Sequence, residues 1–169
     1  MNNKIYYWSP FIDKVATTKS VINSSFSLAK YDKFYQPVIL NACGEWNLYK
    51  EEINQKGIEI LNLTNSKILE GNRKKRGFFT SRLLYFIIIT KAFFPLFKFL
   101  KKNQNEYIII HLITSLPLFL SIFLGKKNKM ILRISGLPKF TILRKFLWRI
   151  ALKKMNIILF RLARGNSTM

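Results

Sequence analysis

The sequence predicts an α/β domain built on a parallel sheet of six strands. Three observations carry this. Six short β-branched or aromatic runs recur along the chain, and each early one stops at a polar or turn residue. Continuous apolar runs of this length mark strands buried on both faces. A helix-compatible segment separates each run from the next, and strict alternation of strand and helix implies a parallel sheet with right-handed crossovers. The length of 169 residues, 49% of them hydrophobic, fits one domain with a real core.

The elements follow in order. The first strand is Ile5-Tyr6-Tyr7-Trp8, stopped by Ser9-Pro10, and the first helix spans Thr18 to Lys30. Val38-Ile39-Leu40 ends at Asn41 and precedes a helix over Trp46 to Lys56, with Gly57 placed as its stop. Ile58 to Leu63 ends at Thr64-Asn65. A polar linker, Ser66 to Gly77, reads as an exposed loop before a long helix from Phe79 to Lys102. Ile108-Ile109-Ile110 ends at His111. Ser115 is then a fitting N-cap for a helix to Leu124, with Pro117 in its first turn and Gly125 just after it. Ile131 to Ile134 ends at Ser135-Gly136, Lys139 to Lys154 forms the last helix, and Ile157 to Phe160 the last strand.

Composition narrows the function classes. One cysteine, Cys43, and one histidine, His111, cannot build a disulfide framework or a zinc site of several His and Cys ligands. No metal site and no bound cofactor is expected. Lys and Arg number 29 against 8 for Asp and Glu, a formal charge of +21. Such a surface attracts nucleic acid, anionic lipid or phosphorylated substrates. Lys, Asn, Ile and Phe all have AT-rich codons, so coding bias is a competing source of the lysine excess. Met1 to Trp8 is too short and polar for a signal peptide. Leu83 to Leu100 carries Lys91, Pro95 and Lys98 and spans a membrane poorly. Tyr107 to Leu124 has the length of a span but holds His111, Thr114, Ser115, Pro117 and Ser121, with basic residues on both sides. A strand end and a helix cap explain those residues; a span does not.

In an open parallel sheet, ligands sit outside the carboxyl ends of the strands. Those ends carry Ser9, Asn41, Glu45, Thr64, His111, Thr114, Ser135 and Gly136. Singly, each is explained as a strand terminator; together they form the best candidate surface. His111 stands out because imidazole can bond substrate hydroxyls or phosphate and exchange protons near neutrality. No G-x-G-x-x-G, P-loop or G-x-S-x-G is present. Carboxylates are too scarce for a glycosidase pair or a two-metal site. The segment RKKRGFFTSRLLY puts Arg73, Lys74, Lys75 and Arg76 before Phe78 and Phe79, a membrane-interface composition. No nucleic-acid recognition motif accompanies the charge, so nucleic acid is not expected as a partner.

The stretches IIIHLITSLPLFLSIF and MILRISGLPKFTILRKFLW, with the opening KIYYWSPFIDKVATTKSVINSSFSL, resemble the family-4 (group 1) glycosyltransferases over about residues 4 to 158. The resemblance implies the N-terminal, acceptor-side half of a GT-B fold, with a Rossmann-like, doubly wound parallel sheet. His111 looks like the histidine that ends the fourth strand in many members. Ser135-Gly136 falls where many have His-Gly, and the first loop here, Asp13 to Thr18, lacks the family's glycines. The implied acceptor-binding residues are Ser9, Thr17, Thr18, His111, Thr114, Ser115, Ser135 and Gly136. The implied partners are a saccharide or lipid-linked acceptor and an anionic membrane surface. The nucleotide sugar would be donor substrate of a complete enzyme, held by a second half with an E-x7-E motif. Residues 1–158 are set as the domain, and 159–169 as an unrelated or truncated tail, so the fragment is expected to be inactive. The expected setting is cytoplasmic, peripheral at the inner face of the cell membrane, in envelope polysaccharide synthesis. The rival class is a basic membrane-associated binding protein without catalysis.

Overall fold

The computed structural model describes residues 3–12, 16–69, 77–111, 116–124, 129–135, 142–154 and 156–161. The chain forms β1 (Asn3–Trp8), α1 (Ala16–Tyr31), β2 (Tyr35–Asn41), a 3-10 turn (Asn47–Tyr49), α2 (Lys50–Gln55) and β3 (Glu59–Asn62). It continues through α3 (Phe78–Lys102), β4 (Tyr107–Ile110), α4 (Leu116–Leu120), β5 (Lys129–Ser135), α5 (Ile142–Lys154) and β6 (Ile157–Arg161). All six strands join one sheet in the order β3-β2-β1-β4-β5-β6, every neighbouring pair parallel. The fold is α/β and Rossmann-like. The chain starts at the centre, winds outward to β3, returns over the sheet through α3 to β4, and winds out the other way. Right-handed crossovers put α1 and α2 on one face and α3, α4 and α5 on the other.

Two apolar layers follow from alternation along the strands. On the α1 side, Ile5, Tyr7 and Ile39 pack with Val21, Ile22, Phe11, Trp46 and Ile53. On the α3 side, Tyr6, Trp8, Val38, Leu40, Ile108, Ile110, Met130 and Leu132 pack under Ile88, Ala92, Leu96 and Leu100 of α3. The spacing of those four α3 residues is one turn each, so they form the helix's buried stripe. The Phe99 and Tyr6 rings meet edge to face, with centroids 4.7 Å apart. By length and composition Phe79–Lys102 could cross a membrane, but its buried stripe lies on the sheet. Within Tyr107–Leu124, the described residues form β4 and the short α4, not one continuous helix.

Local signals act where they stand. The Gly57 N–H donates to the Asn54 carbonyl and the Ile58 N–H to that of Ile53, with Gly57 at φ +68°. This is the left-handed helix stop that glycine adopts without a Cβ penalty. Three expectations are refined. The Trp46–Lys56 helix is a 3-10 turn followed by α2. The Ser66–Gly77 linker is not all exposed: Leu69 is buried, and its N–H donates to the Cys43 carbonyl. β6 runs on to Arg161, so Leu159–Arg161 belong to the sheet; residues 162–169 lie outside the described ones.

Candidate functional site

The strand order reverses between β1 and β4, and in doubly wound sheets the crevice opens at that point, outside the carboxyl ends. Trp8 pairs with Ile110 there. The next residues, Ser9 and His111, therefore stand side by side where the two strands end. Pro10, which has no N–H, helps to end β1. The first turns of α1, with Thr17 and Thr18, begin at the same end of the sheet.

Ser9, Thr18 and His111 are buried, with exposures of 6%, 2% and 6%. Among the described residues, Thr18 Oγ1 and His111 Nε2 have no hydrogen-bond partner. Buried polar atoms are nearly always paired; Trp8 Nε1, inside the α3-side layer, also lacks a partner among the described residues, but Thr18 Oγ1 and His111 Nε2 stand at the switch point and make it the candidate site. The His111 ring lies 6.5 Å from that of Tyr7, whose hydroxyl is 3.4 Å from Ser24 Oγ on α1. Burial, then the positive charge of Arg133, push the His111 pKa down to about 4. The imidazole is thus neutral at pH 7, with one nitrogen a donor and the other an acceptor. Such a ring can orient a hydroxyl or accept its proton.

The chain matches no protein-family model, no curated protein and no solved structure. Its chemistry therefore rests on the residues themselves.

Other members of the expected rim serve the loop after β2 instead. Asn41 Oδ1 accepts from the N–H groups of Gly44 and Trp46, and its amide donates to Asn47 and Asn62. The Glu45 carboxylate accepts from the N–H groups of Ala42 and Cys43 at 2.8 and 2.7 Å. Burial raises its pKa, and those N–H groups oppose the rise. The Thr64 hydroxyl donates to the Ala42 carbonyl at 2.6 Å. These groups are satisfied and brace the turn that holds Gly44 at φ +90°. Ser135 ends β5 and pairs with Arg161. Thr114, Ser115 and Gly136 lie outside the described residues, as do Arg73, Lys74, Lys75 and Arg76. Among the described residues, no three His, Cys, Asp or Glu side chains gather as metal ligands.

Two features were missed. Arg133 sits inside the apolar run of β5 and faces the same layer as Tyr7, because its neighbour Leu132 is buried in the opposite one. A cation inside a buried strand is the signal that could have found it. The second is the outer face of α3 beyond its start, since Phe78 and Phe79 were already expected at a membrane surface. Phe78 opens this helix, and Phe79, Leu83, Phe86 and Phe94 are all well exposed, Phe79 at 84%. Exposed Arg82, Lys91 and Lys98 accompany them. Phe119, Ile122 and Phe123 add apolar surface from α4 and the turn after it.

Proposed function

We propose that the chain is the acceptor-binding half of a glycosyltransferase that acts on a saccharide or lipid-linked saccharide. The observation that carries this is the trio Ser9, Thr18 and His111. These polar side chains are buried at the carboxyl ends of β1 and β4 and the start of α1, and two of them hold atoms with no partner among the described residues. Sugar hydroxyls both donate and accept, and they suit a threonine hydroxyl and a neutral imidazole. The resemblance of the opening segment and of the fourth and fifth strand regions to family-4 glycosyltransferases supports the same reading. In it, His111 positions the acceptor hydroxyl, and the facing domain of a complete enzyme supplies the nucleotide sugar. Calorimetric titration of the 169-residue chain with a panel of saccharides and short-chain lipid-linked saccharides tests this. Binding by at least one member is expected, weakened about tenfold in Thr18→Val through loss of a buried hydrogen bond. Equal affinity in the variant, or no binding by any member, contradicts it.

The outer face of α3 favours a second reading, which is compatible with the first: attachment to an anionic membrane from the cytoplasmic side. Apolar rings flanked by cations are the composition that settles at the headgroup boundary. Alone, without acceptor binding, this would describe a basic membrane-associated binding protein. Flotation with anionic vesicles, lost in high salt, is the expected result. Retention after high-salt and carbonate washing would argue for a span.

A further inference from the structure

The register of β4 and β5 brings a second group to His111. Ile110 pairs with Leu132, so the next residues along, His111 and Arg133, stand side by side. Alternation turns Arg133 toward the α1 layer, where the Tyr7 ring stands against His111. Arg133 is only half buried. Among the described residues, no carboxylate pairs with it. The carboxylates of Asp32, Glu45, Glu52, Glu59 and Glu106 bond elsewhere, and Glu51 stands in the first turn of α2. On this face α1 and α2 lie over the β1–β3 half, and no described helix covers the β5–β6 half, where Ile157 and Leu159 are 46% and 49% exposed. Lys129, four residues before Arg133 on the same face, lies over the Tyr107 ring.

We propose that Arg133 and His111 form a binding site for a phosphoryl group. A guanidinium presents paired N–H donors that match two phosphate oxygens. His111 Nε2, which has no partner among the described residues and belongs to a residue only 6% exposed, supplies a further donor when it carries the proton. The exposed half of the sheet gives access, and the described titratable groups of this layer are Tyr7, Tyr35, Tyr49, Tyr107 and Lys129. The site is argued from Arg133 and does not need the chain to act on sugars. If it does so act, the acceptor is a phosphorylated or phosphate-linked saccharide.

The test uses the intact chain and its one histidine, whose imidazole protons are a unique NMR signal. Inorganic phosphate and a sugar phosphate should shift that signal saturably at millimolar concentration. A bound anion favours imidazolium, so His111 should titrate at higher pH with phosphate than in chloride. Arg133→Gln should weaken binding about tenfold or more, and Arg133→Lys less, since it keeps the charge but not the fork. Circular dichroism checks folding, and Arg133→Lys carries the test should Arg133→Gln not fold. Vesicles of neutral lipid doped with a polyprenyl phosphate separate the sources. Arginine-dependent recruitment assigns a lipid-linked phosphate, and sugar-phosphate binding without recruitment assigns a soluble one. No phosphate-dependent shift, or unchanged affinity in both variants, overturns the proposal. A neutral saccharide that moves His111 when phosphate does not would overturn it and leave the acceptor reading standing.

Discussion

His111 couples the site to pH. Its folded-state pKa is about 4, lowered by burial and then by Arg133, while an unfolded histidine takes its proton near pH ~6.5. The native state therefore favours the neutral ring. The stability from this preference is fully present above about pH 6.5 and is lost as pH falls toward about 4, a change on the order of 3 kcal/mol. Denaturant midpoints at pH 7 and pH 4.5 check it. The wild type should lose more stability between them than His111→Phe, which has nothing to protonate, and equal losses would contradict the account. At this scale the sequence was partly legible. Ser9 and His111 announced themselves by ending apolar runs. Asn41, Glu45 and Thr64 gave the same signal, yet their partners hold them in a loop brace. One of those partners, Asn62, lies on another strand, and no local pattern reveals that. Arg133 was hidden because the face of a strand residue depends on which strands flank it.

At the scale of elements, α3 is the informative case. It is apolar nearly all round, so periodicity alone could not say whether it spans, packs or lies on a surface. The topology decides one face: α3 makes the return crossover, and its buried stripe rests on the sheet. Leu96→Ala should cost about 3 kcal/mol, the usual range for a buried leucine that leaves a cavity. Phe86→Ser with Phe94→Ser, on the outer face, should change stability by less than about 1 kcal/mol yet reduce binding to anionic vesicles severalfold. Urea unfolding and vesicle flotation separate the two effects. A large stability loss from the phenylalanine pair would mean that the outer face packs within the protein. The strands were legible because each is a short apolar run. The start of β2 was not: Pro37 lies within it, and a proline argues against a strand interior. The strand tolerates it where β2 has only β1 beside it, since β3 joins from Val38 onward.

At the scale of the molecule, a charge of +21 and exposed apolar rings occur together. Attraction to anionic membranes should fall steeply with salt. Glycosyl transfer also needs the donor's leaving diphosphate stabilised as charge develops on it, and in the proposed enzyme a facing domain does this. The described residues form one Rossmann-like unit, so the 169-residue chain alone should transfer no sugar from any nucleotide sugar while still binding acceptor. Measurable transfer would require a donor site on this sheet. In the proposed enzyme, acceptors bind where β1 and β4 end. The most direct test is the imidazole spectrum of His111 during titration with a short-chain lipid-linked saccharide in anionic bicelles. The account predicts a saturable shift of the His111 signal that empty bicelles do not produce. An unchanged His111 signal while the saccharide binds elsewhere on the chain would contradict it.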